Sequence, residues 1–166
     1  QNPSLIYPGQ ELVIPAEAPS APALAAPEPP VRGAQARAIL TAAARAHGLR
    51  RSFVLAVSYW ESGWNNGLVS RDGAVGMMQI LPATGATAGP WLLGRQVDLR
   101  NAHDNAELGS ALLRRYLEEF DDPKLALAAY YQGAGATRRY GIYPSSRNYV
   151  DGIWALRNQF EANPPD

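Results

Sequence analysis

Proline is unevenly distributed along this chain, and that limits where the chain can fold. Eight of the 14 prolines fall in the first 30 residues, and residues 15–30 (PAEAPSAPALAAPEPP) hold six Pro and six Ala. A proline every few positions removes backbone donors and clashes with the preceding turn, so no helix can run through this stretch. With little to bury, it reads as a semi-extended linker. The 14 residues in front of it, with a Pro8-Gly9 turn and a short apolar end from Glu11 to Ile14, are too few to close a core. Any compact structure must therefore lie in the remainder, from about Gly33 onward. The pattern there is helical throughout. Residues 33–47 are alanine-rich, and Gly48 supplies a stop. Residues 52–60 (SFVLAVSYW) are apolar nearly all round, which predicts a buried helix with Ser52 as its N-cap. Leu108, Leu112, Tyr116 and Phe120 recur at four-residue spacing within a 103–120 helix. Asp122-Pro123 predicts a cap and a first helical residue for 123–131. Tyr149, Val150, Ile153, Trp154, Arg157 and Phe160 form a last stripe. No segment alternates long enough for a strand, so the fold class is mainly α.

Residues 73–94 carry no charge over 22 positions, long enough to span a bilayer, yet they include five glycines, two prolines and Gln79. A membrane span is disfavoured; two short helices joined by turns over a buried site fit better. Composition excludes several chemistries. The chain has no cysteine, so a disulfide scaffold, a thiolate metal site and a thiol nucleophile are out. Two histidines, His47 and His103, do not furnish a multi-histidine metal cage. Fifteen basic and fifteen acidic groups give zero net charge, which argues against nucleic acid as a partner. No metal or other cofactor is expected. A chain that starts at Gln1 rather than Met is expected to be processed or cut from a longer one.

Three segments could carry chemistry. Glu61 ends the apolar helix and is followed by Ser62-Gly63. Burial beside Tyr59, Trp60 and Trp64 and the negative end of the helix dipole would both raise its pKa, as a general acid near neutral pH requires. The plain alternative is a surface glutamate at a frayed helix end. Gln79 is the polar side chain among Met77, Met78 and Ile80. It either caps a neighbouring backbone group above a core Met78, or binds a sugar amide with Met78 as an adaptable apolar wall. Tyr130 and Tyr131 close the 123–131 helix, either as core edge or as hydrogen-bonding groups for a carboxylate or sugar.

The order of these segments is informative. Glu61-Ser62-Gly63-Trp64-Asn65, Ser70, Gly73-Ala74-Val75-Gly76-Met77-Met78-Gln79-Ile80-Leu81-Pro82-Ala83-Thr84, then Asp98-Leu99, Asn105, Gly109 and Leu112, and finally Ala129-Tyr130 and Arg147-Asn148-Tyr149-Val150 resemble, in order, the soluble lytic transglycosylase family, related to goose-type lysozyme. The match covers roughly residues 34–160. Met77 stands where the family usually has Leu, Leu81 where it often has Met, and Tyr131 where it has Asn. Residues 2–15 look like the closing half of a LysM module, a type that binds N-acetylglucosamine chains.

The resemblance implies a lysozyme-like compact helical domain with an extended Pro/Ala-rich N-terminal segment. Its parts are a partial LysM remnant (1–15), a linker (16–32) and a catalytic domain (33–162). It implies an exported, cell-envelope enzyme that cleaves peptidoglycan glycan strands between N-acetylmuramic acid and N-acetylglucosamine and leaves 1,6-anhydro ends. Glu61 would act as general acid and then base, while Ser70, Met78, Gln79, Tyr130 and Tyr149 bind sugar or orient it. The rival readings are a muramidase that delivers water to the same bond and a glycan-binding module without turnover.

Overall fold

The computed structural model of the chain describes residues 30–165. The LysM-like segment 1–15 and residues 16–29 of the linker lie outside the described residues. The residues leading into the first helix are pinned: Asn66 donates its backbone N–H to the Val31 carbonyl at 2.9 Å, and Gly33 donates to the Trp64 carbonyl at 3.2 Å.

Seven α-helices follow among the described residues: α1 (Gly33–Ala46), α2 (Arg51–Ser62), α3 (Pro82–Ala88), α4 (Ala102–Phe120), α5 (Pro123–Gln132), α6 (Ala134–Tyr140) and α7 (Arg147–Ala162). No strand occurs among the described residues, only isolated bridges at Arg32–Asn65, Val69–Val75 and Val75–Ile80. The alanine-rich segment buries Ala36, Leu40, Ala43 and Ala44 on one face. It stops where Gly48 turns to φ +64°. Leu49 then donates to the Ala44 carbonyl and Gly48 to that of Arg45, which satisfies two end carbonyls together.

Helix α2 is the central strut. Its residues from Ser52 to Ser58 are all buried, and each of Phe53, Val54, Leu55 and Val57 contributes roughly 1.5–3 kcal/mol by leaving water. It packs against α1 and α7, while α4 packs against α1 and α5. Ser52 is not its N-cap. The helix begins one residue earlier, after Arg50, and the Ser52 hydroxyl instead donates to Glu161 on α7. Helix α4 is capped by Asn101, whose Oδ1 accepts from His103 N (2.9 Å) and Asp104 N (3.2 Å). Asp122 caps α5 through Lys124 N at 2.7 Å, with Pro123 at the first helical position as the sequence predicts.

The uncharged 73–94 stretch departs from the two-helix expectation. Residues 75–80 form a tight turn closed by reciprocal hydrogen bonds of 3.0 Å between Val75 and Ile80. Only then does α3 start, at Pro82, and it runs on into a π-helical turn over Gly89–Leu93. Helix α6 is absent from the sequence reading because it has no apolar stripe: Thr137 is its one buried residue.

Candidate active site

A groove of about 610 Å³ runs between the 70–81 segment and helices α2, α4 and α5. Glu61, Ser70, Asp72, Gln79, Tyr130 and Tyr131 all line it, and among the described residues no Lys, Arg or His does. Glu61 sits in the last turn of α2, just before Gly63 takes the left-handed conformation (φ +62°) that ends the helix. Its Oε1 accepts a 2.5 Å hydrogen bond from the Tyr149 hydroxyl on α7. Burial pushes its carboxyl up from 4.5 to about 7, opposed by the Tyr149 hydrogen bond, which favours the ionised form.

Of the neighbours that sequence adjacency suggested, Trp60 meets Tyr149 edge-on, whereas Tyr59 turns to a separate aromatic cluster. Tyr59 and Trp60 are 46% and 38% exposed. Tyr59 packs instead against Trp64 and Phe160, with ring centroids 4.8 and 6.0 Å away. The walls around the carboxylate are phenols brought in from α5 and α7. Tyr149 is buried, and its own hydroxyl is pushed well above 10 by burial and then by the Glu61 charge. Tyr130 is likewise held well above 10, chiefly by burial. Both are neutral donors at any pH near neutrality.

The 75–80 turn is held from beneath by side chains of distant elements. Ser58 and Ser62 of α2 donate to the Met77 carbonyl at 2.9 and 3.0 Å. Met77 N donates to Asn66 Oδ1 at 3.1 Å, and Met78 N to Asn105 Oδ1 at 2.8 Å. Asn105 Nδ2 donates to the carbonyls of Val75 (2.9 Å) and Leu99 (3.0 Å), so this fully buried amide uses both ends. The Tyr130 hydroxyl donates to the Met78 carbonyl at 2.7 Å. Gly76, at φ +82°, lies so close to Asn105 that any Cβ would collide with the amide.

The other residues singled out in the sequence fall into place differently. Met78 is fully buried and lies against Gly109, where an added Cβ would come within 2.6 Å of Met78 Cγ. It therefore fills core beneath the groove rather than forming its wall, and it meets Tyr130 through its main chain. Gln79 adopts φ +47°, an αL conformation that costs a non-glycine residue on the order of 1 kcal/mol. Its amide donates to the Gly76 carbonyl at 2.8 Å, so it caps the turn and also lines the groove. Ser70 Oγ accepts from Ala74 N at 3.0 Å, which shapes the glycine-punctuated turn. Asn105 and Ser62 lie in the segments that carry the family resemblance, but sequence reasoning assigned them no role. The legible signal for Asn105 was an amide on the apolar stripe of α4. Among the described residues no three His, Cys, Asp or Glu groups cluster as they would to hold a metal ion.

Comparison with known proteins places the chain. Residues 38–151 match the family described as the transglycosylase SLT domain. The chain is 36% identical over 95 residues to a transglycosylase of Enterobacteria phage PRD1, covering 55% of this chain and 32% of that protein. It is 32% identical over 146 residues to an endo-type membrane-bound lytic murein transglycosylase A of Klebsiella pneumoniae, covering 84% of this chain and 66% of the relative. The chain thus spans 32% to 66% of the length of these curated relatives. Among solved structures it is similar to the lytic transglycosylase Slt of Pseudomonas aeruginosa (TM-score 0.68, 25% identity, 78% of this chain and 25% of that one). The 70-kDa soluble lytic transglycosylase of Escherichia coli has the same lysozyme-like helical fold (TM-score 0.68, 22% identity, 77% of this chain and 25% of that one). A family match over most of the described residues, together with this shared fold, identifies the chain as a member of the transglycosylase SLT domain family.

Proposed function

We propose that this domain is a peptidoglycan lytic transglycosylase with Glu61 as its acid and base. The observation that carries the reading is a carboxyl lining a groove, raised to about 7 by burial, hydrogen-bonded to Tyr149, and with no cation among the described residues of the groove lining. Such a group is protonated for half of the population near neutral pH, so it can both give and take a proton there. The relatives' names attach the activity to murein, and the neutral, aromatic-bearing groove suits uncharged sugar rings.

Glu61 donates its proton to the glycosidic oxygen as the bond to C1 of the muramic residue breaks. No second carboxylate adjoins Glu61 in its motif. Asp72 also lines the groove, but the resembled family does not use that position as a nucleophile; the positive C1 is captured by the oxygen of the sugar's own acetamido group, a substrate-assisted route. The Glu61 carboxylate then takes the proton from the C6 hydroxyl, O6 bonds to C1, and the oxazolinium ring opens to leave a 1,6-anhydro end. Tyr149 orients Glu61. Ser70, Gln79 and Tyr130 bind sugar or shape the turn that does so, with Met78 supporting that turn from below. The site of action is the cell wall, reached by export. No described helix is long and apolar enough to cross a membrane.

Mass spectrometry of isolated sacculi digested by the domain tests this reading. Products lighter by one water than those of a muramidase are expected. Hydrated reducing ends, or wall binding without any product, would replace the reading by one of its two rivals.

A further inference from the structure

Tyr131 stands where the resembled family has Asn, and the structure gives it a contact that an Asn could not make. Its ring lies stacked on that of Tyr149, with centroids 4.4 Å apart and planes 19° apart. Tyr149 meets Trp60 edge-on at 6.4 Å and 84°, so Tyr131 and Trp60 both pack on the phenol that holds Glu61. Tyr149 is 5% exposed beneath this cover, whereas Tyr131 itself is 57% exposed and lines the groove. A large aromatic ring left open to solvent while it stacks on the buried phenol that holds Glu61 is placed as a cover.

We propose that Tyr131 is a positioning residue for the acid in this chain: stacked on Tyr149, it acts through that phenol to keep water from the Tyr149–Glu61 pair. The proposal rests on the reading of Glu61 given above. Tyr130 of α5 also faces the pair, and Tyr116 of α4 and Asp72 of the 70–74 turn line the same groove. None of them depends on Tyr131 for its place in the chain. Removing the cover lets water solvate the carboxylate, which favours its charged form. The stack needs the ring and not its hydroxyl.

The test uses Tyr131→Asn and Tyr131→Phe, each with Glu61 intact and in combination with Glu61→Gln, and with Tyr131→Ala as a second truncation should the Asn protein fold poorly. Two quantities are read against pH: the difference in urea stability between each protein and its Glu61→Gln counterpart, and kcat/KM on soluble glycan strands. Tyr131→Asn is expected to move both midpoints down by about one pH unit, and Tyr131→Phe to retain the original values. Unmoved midpoints in the Asn and Ala proteins, or a Phe protein that shifts as Asn does, overturn the proposal. Catalysis that survives Glu61→Gln while the stability midpoints move as stated refutes Glu61 as the acid and leaves the cover standing. Loss of catalysis in Glu61→Gln with unmoved midpoints does the reverse.

Discussion

Replacing Glu61 with Gln keeps an oxygen for the Tyr149 hydroxyl to bond while removing the charge, so it isolates the electrostatic state of the carboxyl. The carboxyl titrates near 4.5 when unfolded and at about 7 when folded. Between these values the native state holds more protons than the unfolded one. Stability contributed by the neutral acid is therefore fully present below 4.5, declines through the window, and is gone above about 7. At about 1.4 kcal/mol per pH unit the full displacement is worth at most about 3.5 kcal/mol. Glu61 retains partial solvent access, so screening reduces the expected effect to about 1–3 kcal/mol. Urea denaturation of both proteins at intervals from pH 4 to pH 8.5 measures it, because every other titration cancels in the difference. Relative to Glu61→Gln, the parent protein should lose that amount between low and high pH, and the variant's turnover should fall by at least about 100-fold. Parallel stability curves, differing by a constant across the range, would show that the carboxyl is not held neutral by burial and would remove the basis for its role.

Other changes probe the groove from different sides. Tyr149→Phe removes the hydrogen bond that favours the ionised carboxylate, so the alkaline limb of kcat/KM should move to higher pH, opposite to the Tyr131→Asn shift. Asn105→Ala breaks three buried hydrogen bonds to the 75–80 turn and to Leu99, and should cost about 3–5 kcal/mol in chemical denaturation, with activity lost alongside. Asp122→Ala deletes the α5 cap and should lower stability by about 0.5–2 kcal/mol in the same assay, with the pH profile of activity unchanged.

Helix placement was legible wherever a stripe and a cap coincided. The Asp122-Pro123 start of α5, the Gly48 stop of α1 and the apolar periodicity of α4 each state a local physical preference, and the structure obeys them. Ser52 misled because a serine ahead of an apolar run looks the same whether it caps a helix or sits inside its first turn; its partner, Glu161, lies 109 residues away. The 75–80 turn was illegible for a related reason. Its own residues are those of a short helix, and what fixes its shape is a set of amides and hydroxyls on α2, α4 and α5. The chain pointed to Glu61 as a carboxyl raised by burial, and the structure does raise it by burial, with Tyr149 from α7 as its hydrogen-bond partner and Trp60 packed on that phenol. Tyr149 reaches it because α7 packs on α2, and Tyr130 and Tyr131 line its groove from α5, which packs on α4 and α7; no local pattern encodes those packings.

The way the 75–80 turn is held bears on the order in which the molecule assembles and comes apart. Apart from the reciprocal Val75–Ile80 pair, the Gln79–Gly76 bonds and the Gly76 N–H on the Leu68 carbonyl, its anchors join residues 11 to 52 positions apart in sequence. The full set of these bonds is complete only once α2, α4 and α5 are all in place, so this wall of the groove should be among the last features to become native and among the first to open on heating. Amide exchange should accordingly be faster at Met77 and Met78 than along the middle of α2, and binding of a glycan should be lost at temperatures where the helical signal is still intact.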